Sequence, residues 1–315
     1  MTARSGGPTI GARERTIATS RRRETRAARL LKSPLRSAAR RWRYLPSASK
    51  APVWRAVFAP LDALDRVRGA GGGLPPRWLR FLVGDNYEGV GREFLGLFQR
   101  LGHLGPDDAV LDIGCGAGRM ALPLTTLLSA RGSYDGFDIV PAAVAWCTRN
   151  IGRRHANFRF RTLDVRNDRY NPRGALAAHE VTFPYPDASF DFAFASSVFT
   201  HLGPAEARRY LAEARRVLRP GGRLLATFFL VDPEARALMA AAAGSLAFRE
   251  TAPGVHTLLH RAGDVHFAVA VDEDLARAWL AEAGLRVHEP VHRGAWCGRA
   301  EHVSYQDIVV ASPSG

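Results

Sequence analysis

Five short apolar segments recur through the middle of the chain, with helical patterns falling between them. Ala109 to Ile113, Ser133 to Phe137, Phe158 to Leu163, Asp191 to Ala195 and Arg223 to Leu230 are bounded by glycine, proline, asparagine or aspartate, which predicts strands. The clearest helix is Ala205 to Leu218, where Ala207, Tyr210, Leu211, Ala214, Val217 and Leu218 share one face and "RPGG" (Arg219 to Gly222) stops the run. Ahead of the first strand, Phe94, Leu95, Leu97, Phe98 and Leu101 mark a further helix within Asn86 to Leu104. After a helix at Glu273 to Ala283, strands at Arg286 to His292 and Ser304 to Val310 are joined by "RGAWCGRAEH" with no helix between them, so they should run antiparallel. The predicted fold class is α/β: a doubly wound, mostly parallel seven-stranded sheet with helices on both faces and an antiparallel C-terminal hairpin strand.

Charge changes this picture at one end only. Residues 1–56 hold 15 Lys or Arg against Glu14 and Glu24, a balance of +13 out of a formal +14 for the whole chain. This Arg-rich segment shows little apolar periodicity and is expected to be a disordered extension, with a nucleic-acid arm, an anionic-membrane arm and a transit peptide as the competing readings. Residues 57–104 form a helical cap and linker punctuated by a glycine run and Pro75-Pro76, and residues 105–315 the main domain. The longest apolar runs, Leu224 to Val231 and Ala237 to Phe248, fall well short of the roughly 20 residues of a spanning helix, so a cytoplasmic protein without a transmembrane segment is expected. Cys115, Cys147 and Cys297 form no C-x-x-C pair, and neither a disulfide framework nor a metal site is expected.

The candidate chemistry begins at "VLDIGCGAGR", Val110 to Arg119. A buried strand runs into Gly114, Gly116 and Gly118, whose backbone can turn tightly and approach a ligand ahead of a helix N-terminus. The G-x-G-x-G spacing with Asp112 before it departs from the dinucleotide fingerprint G-x-G-x-x-G. Asp138 ends the second strand about twenty residues further on, where a carboxylate can accept from both hydroxyls of a ribose. Asp164 ends the third strand in the same manner, beside Val165.

Taken together and in order, "VLDIGCGAGR", "YDGFDIV", "RTLDVRN", "FPYPDASFDFAFASSVFTHL" and "EARRVLRPGGRLLATFFL" resemble the class I S-adenosylmethionine-dependent methyltransferases. The segment Gly294 to Ala311 is similar to the closing part of bacterial members, many of unassigned substrate. The resemblance implies that Gly114, Cys115, Gly116 and Gly118 pass beside the amino-acid part of S-adenosyl-L-methionine, with Asp112 organising the loop. It further implies that Asp138 holds the ribose, Asp164 the adenine, with Ile139 and Val165 packing on its faces, and Ser196 offers a carbonyl near the methionine end.

Transfer to a hydroxyl needs a base, and His201, just past the fourth strand, is the candidate. Tyr87, Tyr170, Trp296 and Arg299 are candidates for the acceptor pocket, and the long connection Arg166 to Pro186 for a lid or binding loop. Each has a plainer alternative, such as hairpin packing for Trp296 and an ion pair for Arg299. The expected activity is methyl transfer to a small-molecule or glycan acceptor, O-directed. A nucleic-acid methyltransferase using the basic tail and an NAD(P)-dependent oxidoreductase are the alternatives.

Overall fold

The computed structural model describes residues 47–67, 73–82, 86–241, 244, 246–258 and 268–314. Strands β1 (Ala109–Ile113), β2 (Ser133–Asp138), β3 (Phe158–Thr162), β4 (Phe190–Ala195), β5 (Leu218–Phe228), β10 (Leu285–His292) and β11 (Asp307–Pro313) make one sheet in the order β10-β11-β5-β4-β1-β2-β3. All neighbours pair in parallel except β11, which runs antiparallel to both β5 and β10. The chain steps outward from β1 to β2 and β3, then restarts at β4 on the other side. The crevice between β1 and β4 is thus a topological switch point, where open α/β sheets receive their ligands.

The sheet is covered on both faces, which is why its strands read as near-continuous apolar runs. Along β4 the side chains alternate from Phe192 onward, Ala193 and Ala195 entering one core and Phe192 and Phe194 the other, while Phe190, before the register shift, joins the alanines. Helix α6 (Pro204–Val217) covers the first face with the expected stripe Ala207, Tyr210, Leu211, Ala214 and Val217, and starts with proline in its first turn. Helix α3 (Tyr87–Arg100) covers the second, with Phe98 against Phe194 at a ring separation of 4.3 Å. Asp112 interrupts the apolar series of β1 on that second face, almost fully buried.

Three features depart from the sequence reading. Helix α1 (Ser47–Val67) runs straight through the boundary expected at residue 56 and carries Pro52 and Pro60 within it; residues 1–46 of the expected extension lie outside the described residues. It is followed by α2 (Arg77–Leu82), tied back to it by the Arg77 N–H and guanidinium on Asp62 and Asp65. Strand β5 begins at Leu218, five residues early, because Phe190 pairs with Leu218 across a register shift and "RPGG" bulges out within the strand.

The third departure is a second sheet inserted after β5. Strands β6 (Leu230–Val231), β7 (Phe248–Ala252), β8 (Val255–Leu258) and β9 (Val269–Asp272) pair in the order β6-β9-β8-β7 around a small core containing Phe229, Ala270 and Trp296. Helix α7 (Pro233–Ala240) lies within this insertion, its N-cap Asp232 accepting from the Ala235 N–H at 2.7 Å. The chain then re-enters the main sheet through α8 (Glu273–Glu282).

Candidate active site

A cavity of about 370 Å³ opens at the switch point, at the carboxyl ends of β1, β2 and β4. Its wall includes Asp112, Gly114, Cys115, Gly116, Asp138, Ile139, Tyr170, Ser196 and His201, so most of the residues singled out in the sequence converge here.

The glycine loop owes its path to three positive-φ residues, Gly114 (φ 83°), Gly116 (φ 51°) and Gly118 (φ 79°). A Cβ on Gly114 would stand 2.6 Å from a Val198 methyl, so the loop and the turn after β4 touch backbone to side chain. The N–H groups of Gly114 and Cys115 both donate to the Phe137 carbonyl at 2.9 Å. Asp138 completes the loop: Oδ2 accepts from the Gly116 N–H at 2.7 Å and Oδ1 from the Val140 N–H at 2.8 Å. Burial raises its carboxyl above the usual range, and the backbone donors pull the other way.

Beneath the loop sits a second carboxyl. Asp112 accepts from the Tyr134 hydroxyl at 2.5 Å, and burial pushes it up to about 8, with Asp138 adding to the effect while Tyr134 and Arg119 oppose it. Cys115 and Cys147 are buried thiols raised well above their ordinary value by desolvation, which suits packing rather than nucleophilic chemistry. Across the cavity, Tyr170 meets His201 edge to face at 5.7 Å, and the Arg169 guanidinium lies 5.2 Å over the Tyr170 ring.

Six expected residues fall elsewhere. Gly118 faces away from the cavity, its Cβ position filled by Ile151 (2.8 Å) and the Cys147 sulfur (3.0 Å), so it serves close helix packing. Asp164 is exposed and accepts from the Asn171 amide at 3.3 Å, while the Val165 side chain is in the apolar core; the residues of that loop on the cavity wall are Asn167, Arg169 and Tyr170. Tyr87 is buried under the glycine loop, where its hydroxyl donates to the Ala117 carbonyl at 2.7 Å.

Trp296 and Arg299 are corrected together. Trp296 is fully buried in the small core of the insertion and donates through Nε1 to Asp307 Oδ2 at 2.6 Å. Arg299 is 3% exposed at its side chain, with Nη2 on both oxygens of Asp232 (2.7 and 2.8 Å) and Nε on Glu234 at 2.8 Å. Their polar atoms face carboxylates that join the insertion to the main sheet, and neither lines the cavity.

A family model described as a methyltransferase domain matches residues 111–226, the stretch that supplies the glycine loop, Asp138 and His201. Residues 111–226 thus match a methyltransferase domain. The chain is 34% identical over 178 residues to 27-O-demethylrifamycin SV methyltransferase of Amycolatopsis mediterranei, covering 56% of this chain and 54% of that one. With phthiotriol/phenolphthiotriol dimycocerosates methyltransferase 1 of Mycobacterium ulcerans it shares 36% identity over 121 residues, 38% of this chain and 36% of the other. The chain thus spans about half the length of the first relative and about a third of the second. In fold it is similar to the solved PH0226 protein of Pyrococcus horikoshii, at a TM-score of 0.51 and 15% identity over 73% of this chain and 92% of that one.

The cavity has space and an acceptor that fit S-adenosylmethionine: the wall is kept open where Gly114 and Gly116 lack side chains, and a carboxylate, Asp138, stands on it with lone pairs to spare. Several of its wall residues carried no functional signal in the sequence. Tyr210 read only as part of the α6 apolar stripe, yet it lines the cavity. Gln306 is behind the wall, its Oε1 accepting from Ser197 Oγ (3.0 Å) and Thr227 Oγ1 (2.6 Å), and Thr227 Oγ1 in turn accepts from the Ser197 N–H at 2.8 Å. A polar residue just before the last strand was its only sequence signal.

Proposed function

We propose that the protein transfers the methyl group of S-adenosylmethionine to a hydroxyl oxygen of a small-molecule or glycan acceptor, with His201 receiving the proton. The observation that carries this reading is the presence of His201 on the same cavity wall as Asp138 and the glycine loop. The relative acting on 27-O-demethylrifamycin SV, whose name puts its methyl on an oxygen, supports the choice of atom.

When bound, the cofactor would supply a sulfonium methyl that passes to the acceptor oxygen as the thioether leaves on the opposite side, so positioning dominates the chemistry. Asp138 accepts from the ribose hydroxyls with the lone pairs left over from its two backbone donors. Gly114 and Gly116 let the amino-acid portion lie against backbone, and Ser196 with Ser197, braced by Gln306 and Thr227, shapes the methionine end. His201 takes the hydroxyl proton on an imidazole nitrogen, and the Tyr170 ring packs edge to face against it.

Calorimetric titration with S-adenosylmethionine, S-adenosylhomocysteine and NADH, on the wild type and Asp138→Ala, tests the cofactor half. Binding of the first two that is lost in the variant supports it; binding of NADH alone overturns it in favour of an oxidoreductase. Labelled-methyl transfer to hydroxylated acceptors tests the rest. His201→Ala should lower kcat by about 10²–10⁴ with cofactor affinity unchanged, as expected for loss of a general base. An unchanged kcat removes His201 from the chemistry.

A further inference from the structure

Five of the eight large apolar side chains exposed among the described residues belong to α1: Val53, Val57, Leu61, Leu64 and Val67, at 43%, 53%, 45%, 41% and 85% exposure. Their spacing of four, four, three and three residues puts them on one side of the helix, together with exposed Ala56 and Pro60. The other side is committed to the protein: Ala51, Trp54 and Phe58 pack on the α3 core, and Arg55 lies 4.2 Å over the Trp78 ring. Both acids of the helix, Asp62 and Asp65, turn inward to Arg77. The outward apolar arc is therefore clear of negative charge. The chain leading into and through the first half of this helix is the basic segment 1–56, with 15 Lys or Arg against two Glu.

We propose that α1 docks on an anionic lipid bilayer, lying in the plane of its surface with Val53, Val57, Leu61, Leu64 and Val67 in the headgroup–acyl boundary. An apolar helical arc beside a strongly cationic stretch is the composition of an interfacial helix, and the charge complements an anionic surface specifically. A second copy of the chain fits less well. The stripe is roughly 20 Å long at ~1.5 Å per residue, and one helix face of that length offers far less than the about 800 Å² per partner of a stable dimer. The neighbouring α2 brings Leu79 to the cavity wall, so the docked face is one helix away from the cavity.

The test is co-sedimentation of the full chain with vesicles of phosphatidylcholine alone and of phosphatidylcholine mixed with phosphatidylglycerol, at low and high salt. The expected result is binding to the anionic vesicles only, weakened by salt, and reduced at least about tenfold by Val57→Asp with Leu64→Asp, two exposed positions whose change leaves the core intact. S-adenosylhomocysteine titration of the same variant should match the wild type, which shows that it is folded and separates this result from the methyltransferase reading: vesicle binding stands or falls without any catalytic readout. Absence of binding to anionic vesicles overturns the proposal. So does binding that the two substitutions leave untouched, or a dimer in sedimentation velocity that they dissolve. Duplex DNA that binds the variant and wild type equally and strips both from vesicles would assign the basic segment to nucleic acid instead.

Discussion

The hydroxyl of Tyr134 donates to the carboxyl of Asp112 at 2.5 Å, and both side chains are shut away from water beneath the glycine loop. An acid in such a place holds its proton up to a pH of about 8, whereas the unfolded chain releases it near 3.8. Below both values the two states are equally protonated and this group leaves stability undiminished. Between them only the unfolded chain ionises, so stability falls as pH rises and levels off above about 8. Asp112→Asn keeps an oxygen for Tyr134 but cannot ionise. Urea melts of the cofactor-free protein should therefore show the wild type losing, relative to this variant, on the order of a few kcal/mol between about pH 4 and pH 8. Parallel pH curves would contradict it.

Two glycines separate crowding from backbone conformation. Gly114 and Gly221 both have positive φ (83° and 76°), but an added methyl meets Val198 at 2.6 Å in the first and nothing within 4 Å in the second. Gly221→Ala should cost about 1 kcal/mol, the left-handed strain alone, and leave S-adenosylhomocysteine affinity unchanged. Gly114→Ala should cost more, roughly 2–4 kcal/mol, and weaken that affinity at least about tenfold. Equal melting temperatures for the two variants would show that the loop yields without penalty.

Arg299 is a structural cation. Its removal leaves Asp232, at the N-cap of α7, with the Ala235 N–H and the longer Arg293 contact at 3.4 Å, so Arg299→Met should lower stability by roughly 1–3 kcal/mol. Affinity for S-adenosylhomocysteine per folded molecule should hold, because the residue is off the cavity wall. A large fall in affinity at full folding would return Arg299 to the pocket.

Tyr87 braces the loop from below with one hydrogen bond to Ala117. Tyr87→Phe leaves a buried carbonyl without this donor and should cost about 1 kcal/mol, with a weakening of S-adenosylhomocysteine binding of roughly two- to tenfold. An unchanged affinity would mean that the loop holds its shape without the hydroxyl.

How much of this was legible depended on whether the signal was local. β1 has the expected bounds because a fully buried parallel strand is written as a continuous apolar run, and Asp138 declares itself through its position at a strand end. The antiparallel hairpin was readable from the shortness of its connection. Trp296 and Arg299 were misassigned because an aromatic and a cation in a glycine-rich connection look alike whether they face a ligand or a carboxylate. What decides between the two is Asp307 and Asp232, the latter 67 positions away in the chain. The insertion escaped notice because β7, "FRETA", is largely exposed and lacks an apolar face. α1 was obscured by its arginines and by two prolines that normally interrupt a helix.

β11 has an unusual place in the order of synthesis. It is the last of the described strands to leave the ribosome, yet it belongs inside the sheet, between β5 and β10, and its first residue, Asp307, receives the Leu230 and Gly294 N–H groups and the Trp296 indole. The five-strand parallel half can assemble while translation continues. β10 and the Trp296 connection cannot, since their partner does not yet exist. A chain cut short before residue 307 therefore keeps the glycine loop but is left with a bare, adhesive β5 edge.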